Sequence, residues 1–326
     1  MGVGLSEIQH ARRAISPWVR RTPAVYSQSL SRKTGADVYL KLETTHDTGA
    51  FKIRGATNKI LSLSDKEKAR GVVAVSTGNH GRAVALAARR LSVKATVCLS
   101  ELVPANKRKA IEDLGARLHV SGRSQDEAEI AAKALMDSEG LVPVHPFDDP
   151  KVIAGQGTIG LELLEDLNTV DCLLVGLSGG GLAGGIGLAL KSASSATRIV
   201  GISMKRGPAM IRSIEADKPV PVDEESSLAD SLGGGIGIDN KYTFELVKQH
   251  VDEFYLLDER QIADGMVHLY REERVIAEGG GAVPVSAIVH EVVSGLKGTV
   301  VCVISGNNVD MDVFTRIING TYPFES

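Results

Sequence analysis

The chain has 326 residues, of which 43% are hydrophobic and 24% charged, and its net charge is −3. That length supports one large core or two lobes, with the balance of an ordinary soluble globular protein. The near-neutral charge makes no case for nucleic acid or an anionic membrane as partner, and no apolar run is long enough to span a bilayer.

The N-terminus, Met1 to Glu7, lacks the basic-then-apolar layout of a signal sequence. Met1-Gly2 superficially suggests myristoylation, but Glu7 and the adjoining helical pattern read as an ordinary start. Strand-like apolar runs follow at 36–42, 71–76, 95–99, 171–177, 198–202 and 299–305. Helical periodicity occupies 79–91, 104–114, 126–139, 259–270 and 282–293. Such alternation predicts an α/β fold with largely parallel sheets, and the continuous Val/Ile/Leu runs predict sheets covered on both faces. The segment from Val144 to Pro150 has the composition of a crossover between lobes. A small lobe is therefore expected at 71–148, and a large lobe from 1–70 and 149–326. Cys98, Cys172 and Cys302 are scattered among apolar runs and are expected to be buried thiols of a reducing cytoplasm.

Two segments carry chemistry. Gly49-Ala50-Phe51-Lys52-Ile53-Arg54-Gly55-Ala56 sets one lysine behind an aromatic residue just before a helix. Shielding from water would lower that amine's pKa and make it a nucleophile; a plain surface lysine at a helix start is the alternative. Further on, the strand ending at Leu177 runs into Ser178-Gly179-Gly180-Gly181-Leu182-Ala183-Gly184-Gly185 and then a helical stretch from Ile186 to Leu190. Strand, glycine run and helix cup a phosphate with bare backbone N–H groups. Gly179-x-Gly181-x-x-Gly184 overlays a dinucleotide fingerprint, but no acidic residue closes the next strand, which runs into Met204-Lys205-Arg206. Gly176-x-Ser178-x-Gly180 overlays a nucleophile elbow. That reading would draw on Asp258 with His268 or His290, and it leaves Lys52 unexplained.

With Ser76-Thr77-Gly78-Asn79-His80-Gly81 and Ser305-Gly306-Asn307-Asn308, these segments form four motifs in order. The chain in this respect resembles the threonine and serine dehydratase family of pyridoxal-phosphate enzymes, from Arg21 to Asp310. Within the family it is most similar to the dehydratase-like branch of bacterial hydroxyectoine utilisation. Ser121 to Asp126, Gly155 to Leu164 and Ser231 to Gly237 carry that likeness. The resemblance implies the tryptophan synthase β-subunit-like fold, with two lobes, each a mostly parallel sheet flanked by helices. It implies pyridoxal 5'-phosphate as cofactor, a small amino acid as substrate, and a cytoplasmic homodimer. Lys52 would be the Schiff-base lysine and the base at Cα, with Phe51 packed beside the cofactor. Gly179, Gly180, Gly181 and Leu182 would hold the phosphate by backbone N–H groups, aided by Ser178. Asn79 would reach the cofactor's phenolic oxygen, Glu278 would line its site, and Ser305 would hydrogen-bond the pyridine nitrogen. Ser76, Thr77, Asn79 and His80 would take the substrate carboxylate.

Each residue also has a bland reading: Asn79 as a helix cap, His80 as a structural histidine, Glu278 as a solvated dipole partner, Ser305 as a turn serine. A neutral hydroxyl on the pyridine nitrogen does not keep the ring protonated, which favours early loss of a β-leaving group over long storage of charge. Three departures from the family pattern matter. Residues 203–209 hold no acid, so no metal is expected there; Thr77 replaces a second-base serine of racemase relatives; Arg82 replaces a neutral polar residue, with a role left open. No regulatory extension is expected. The sequence reads as a pyridoxal-phosphate lyase that dehydrates and deaminates a β-hydroxy amino acid. An amino-acid racemase, a Ser178 hydrolase and a non-catalytic cofactor or amino-acid sensor are the competing readings.

Overall fold

The computed structural model describes residues 2–76, 78–103 and 105–322. Its strands are β1 (Ala24–Tyr26), β2 (Asp37–Leu42), β3 (Val72–Val75), β4 (Ala95–Leu99), β5 (Arg117–Val120), β6 (Val142–Pro143), β7 (Cys172–Gly176), β8 (Arg198–Met204), β9 (Glu253–Leu257) and β10 (Thr299–Ile304). Six of them form one sheet in the order β1-β2-β10-β7-β8-β9, and four form a second in the order β5-β4-β3-β6. Only the edge pair β1–β2 runs antiparallel; the other pairings are parallel.

The apolar runs explain why both faces of the large sheet are covered. Val300, Cys302 and Ile304 pack into one core cluster with Leu174, Val283 and Met266. Val301 and Val303, pointing the other way, join Leu173, Val175 and Ile186 in a second. The small sheet divides likewise: Val72, Ala74, Val97 and Leu99 meet Ile53, Ile60, Ala83 and Val84, while Val73 and Cys98 meet Ala128 and Ala132. Pairing of Ile304 with Leu42, and of Gly176 with Ile202, brings the carboxyl ends of β2, β10, β7 and β8 to one edge. Ligands of open parallel sheets sit off that edge.

The helix Lys52–Leu61 occupies the seam between the sheets. Ile53 and Ile60 belong to the small sheet's core, while the opposite flank crosses the helix Pro150–Asp166 at Gly55 and Gly155. A Cβ on Gly155 would stand 2.6 Å from the Gly55 Cα, so the crossing requires a residue without a side chain. The three cysteines are buried free thiols, and burial raises Cys98 to about 11 and Cys172 to about 12. Among the described residues no helix is long and apolar enough to cross a membrane.

Element ends differ from expectation where tertiary packing overrides local preference. The helix expected from Ile186 begins at Gly181, and the one expected at 282–293 spans Gly279–Val289. Glycine is a poor helix former, yet a Cβ at Gly279 or Gly281 would collide with the backbone oxygens of Leu228 or Gly306. The helix expected at 259–270 stops at His268 and widens into a π turn, Leu269–Glu273. β8 extends to Met204 because that residue pairs with Leu257 of β9. The helix Pro150–Asp166, unlisted among the expected elements, has a clear start: Asp149 caps it and Pro150 opens it.

Candidate active site

The approach to Lys52 is stitched to the end of β10. Ala50 and Gly306 form an isolated bridge, Phe51 N donates to Ser305 O at 3.0 Å, and Asn307 N donates to Gly49 O at 2.9 Å. The helix then starts at Lys52, whose half-buried side chain reaches into the cleft between the sheets. Its Nζ donates to Pro146 O at 2.7 Å and lies 5.2 Å from the Phe51 ring centre. Burial pulls the amine down to about 8, against the raising pull of the Glu278 carboxylate.

Across the cleft, β7 ends at Gly176 and the helix Gly181–Ala193 begins five residues later. The N–H groups of a helix's first turn have no intrahelical acceptor, and Ser178, Gly179 and Gly180 N–H find no backbone acceptor among the described residues. Gly180 is left-handed at φ 85°, and a Cβ there would come within 2.8 Å of Met210 and Val247. A Cβ on Gly179 would come within 2.3 Å of the Phe147 ring. Ser178, Gly179, Gly180, Gly181 and Leu182 all line the cleft. Gly180→Ala is expected to weaken cofactor binding at least tenfold and to cost about 1–3 kcal/mol of stability, measured by fluorescence titration and urea unfolding.

The third wall joins the two sheets. Asn79 begins the helix Asn79–Arg90, and its Nδ2 donates to Glu278 Oε1 at 2.7 Å. Asn308 donates from its backbone N to Glu278 Oε2 at 3.0 Å, and from its side chain to Asn79 Oδ1 and to Thr48 O. Glu278 is therefore buried rather than solvated, and burial raises its pKa, with Ser231 and Asn79 pulling the other way. His80 is buried with Nε2 on Val144 O at 2.7 Å; burial, then the nearby Lys52, lower it to about 3, so the ring is neutral. Its Nδ1 has no hydrogen-bond partner among the described residues. Ser76 Oγ accepts from Gly78 N at 3.3 Å, and Ser305 stands at the cleft's floor, 6% exposed. Thr77 lies outside the described residues.

The hydrolase reading finds no support in the geometry. Asp258 caps the helix Glu259–His268, His268 faces Ser29, and His290 faces Asp264; none of them hydrogen-bonds Ser178. Among the described residues no group of three His, Cys, Asp or Glu could hold a metal ion.

Two features were not foreseen. Asn308, quoted in its motif without a role, ties Asn79 to Glu278. Behind the lysine helix, Arg54 bridges two buried glutamates: Nε donates to Glu43 at 2.7 Å, and Nη1 and Nη2 to Glu162 at 2.7 and 2.8 Å. Lys41 Nζ adds a 2.7 Å bond to Glu162. A lysine inside the apolar run Val38-Tyr39-Leu40-Lys41-Leu42 was the available signal, since a buried charge requires a partner.

A lysine amine of lowered pKa, a run of glycine N–H groups at a helix start and the Ser305 hydroxyl at the end of β10 line one cleft of about 1380 Å³. That is the outline of an enzyme that carries a phosphorylated aldehyde on a lysine, and these residues fit pyridoxal phosphate. The chain belongs to the pyridoxal-phosphate dependent enzymes, whose family model matches residues 15–306. A Sinorhizobium fredii protein with a provisional threonine dehydratase name is 48% identical over 98% of this chain and 96% of its own. The L-threonine ammonia-lyase of Thermotoga maritima is 43% identical over 97% of this chain and 78% of its own. Among solved structures, maize serine racemase superposes with a TM-score of 0.91 at 32% identity, covering 98% of both chains.

Proposed function

We propose that the protein eliminates water from a β-hydroxy amino acid, as a threonine dehydratase does, and that the released enamine tautomerises to an imine and takes water back to give a keto acid and ammonia. The observation that carries this reading is the Lys52 amine, lowered to about 8, facing the glycine cradle with a hydroxyl rather than a carboxylate at the end of β10. The cofactor, when bound, supplies an electron sink next to the substrate Cα. Everything else falls to the chain. The N–H groups of Gly179, Gly180, Gly181 and Leu182, with Ser178, would anchor the phosphate, and Phe51 would pack beside the ring. Asn79, held in place by Glu278 and Asn308, would meet the ring oxygen. Ser76, Thr77, Asn79 and His80, which lead into and open the helix Asn79–Arg90, would receive the substrate carboxylate. Lys52 would take the Cα proton, and Ser305, a neutral hydroxyl, would hydrogen-bond the ring nitrogen without holding it protonated, a setting that favours loss of the protonated β-hydroxyl as water.

The test is a panel of L-serine, L-threonine, 3-hydroxyaspartate and hydroxylated diaminobutyrate, read by ammonia release. Lysine-dependent ammonia from one member is the expected result; none from any member would end the reading. The likeness to serine racemase supports a second reading, in which the substrate's enantiomer accumulates and no keto acid forms. A finer reading, supported by Ser121 to Asp126 and Ser231 to Gly237, would place the enzyme in hydroxyectoine breakdown with hydroxylated diaminobutyrate as substrate, and it competes with the dicarboxylic substrate argued from Arg82 below. We further propose a cytoplasmic homodimer, in which residues 71–148 form a small lobe that moves against the rest.

A further inference from the structure

Arg82 stands three residues after Asn79, on the same helix face, about 4.5 Å further along the axis. Its side chain is half-buried and lines the cleft. Nη1 donates to Asn308 Oδ1 at 3.0 Å, and Asn308 is itself fixed by Thr48 and Glu278. The guanidinium is thus tied to the cleft wall through Asn308. A guanidinium offers five N–H donors, and Asn308 takes one. Among the described residues no carboxylate lies within ion-pair distance of Arg82. Glu278 acts on it electrostatically, but both of that carboxylate's oxygens are engaged by Asn79 and Asn308. Burial lowers the guanidinium's pKa, as for a cation short of compensating charge.

A fixed, partly desolvated cation with donors to spare is complementary to an anion. The substrate's α-carboxylate belongs, on the reading above, to the corner one turn earlier on this helix. We propose that Arg82 receives a second carboxylate, on the substrate's side chain, so that the preferred substrate is a β-hydroxy dicarboxylic amino acid such as 3-hydroxyaspartate. A hydroxylated diaminobutyrate would bring an ammonium to the same guanidinium, and like charges there repel. The chemistry that consumes the product then handles a keto dicarboxylic acid. This assignment rests on the elimination reading for its substrate class, though not for the anion site itself.

The experiment compares wild type, Arg82→Gln and Arg82→Lys. The ratio of kcat/KM for 3-hydroxyaspartate over that for threonine should favour the former in wild type. It should fall about 10- to 100-fold in Arg82→Gln, chiefly through KM, and recover in part in Arg82→Lys. In parallel, calorimetric titration of the holoenzyme should show succinate binding more tightly than butyrate, with the difference lost in Arg82→Gln. Equal changes for both amino acids, or equal binding of succinate and butyrate by wild type, would overturn the assignment. If no hydroxy amino acid releases Lys52-dependent ammonia, the elimination reading fails, and the succinate measurement still decides the role of Arg82.

Discussion

Lys52→Ala is expected to give a folded protein that binds no cofactor covalently and releases ammonia at least about 10³-fold more slowly. The side chain makes one hydrogen bond, to Pro146 O, and its charge is disfavoured by burial. Removing it therefore costs the fold little, while on the proposed roles the chemistry would lose both its attachment point and its base at Cα. Visible absorbance after cofactor addition reads the first loss, and ammonia release reads the second. Full turnover by the variant would end the assignment. The lowered pKa makes a further prediction for the wild-type apoprotein. Only the neutral amine attacks an aldehyde, so the rate of cofactor rebinding should rise about tenfold per pH unit and level off near pH 8. An ordinary lysine would keep rising past pH 10. A rebinding rate flat between pH 6 and 8 would show that the amine is neutral for another reason.

What could be read from the sequence was what neighbours in sequence determine. The runs that became β7 and β10 are apolar on both faces, so a covered parallel strand was the natural reading, and the glycine run after β7 has few other uses. The edge strand β1 gave no such signal, because Val25 and Tyr26 are exposed and three residues form no period. β5 is half-exposed, and the glycines at 155, 157 and 160 hid the helix Pro150–Asp166 by lowering its local preference for helix. The polar architecture of the site was harder still. Asn79, Glu278 and Asn308 meet across about 200 residues of chain, and no local pattern announces such a meeting. Arg82 shows the limit well. Its sequence position allowed a surface charge or a ligand contact, and the placement of Asn308 against a half-buried guanidinium is what argues for the second.

Arg54→Met is expected to cost about 3–5 kcal/mol of stability at pH 7. The side chain is 1% exposed and fills the space between Glu43 and Glu162, themselves 0% and 1% exposed. Burial alone would raise both carboxyls, but Arg54 outweighs it, joined by His46 at Glu43 and by Lys41 at Glu162, and holds both below their ordinary 4.5. With Lys41 and Arg54 against Glu43 and Glu162, the cluster is charge-balanced; methionine of similar volume leaves one charge uncompensated. The pH dependence separates this from simple loss of packing. A carboxylate held low in the fold contributes stability above its unfolded pKa, and that contribution drains away as pH falls below about 4.5. Wild type should therefore weaken in acid. In the variant, burial without the guanidinium pushes the carboxyls up, so protonation relieves them and the deficit should narrow between pH 7 and pH 4. Urea unfolding across that range measures both curves. A deficit below about 1 kcal/mol at pH 7 would be the cost of an ordinary surface substitution and would show that the cluster is not what holds the helix. Because that helix begins at Lys52, two residues before Arg54, the same substitution should also loosen the amine's placement and weaken cofactor binding even where the protein remains folded.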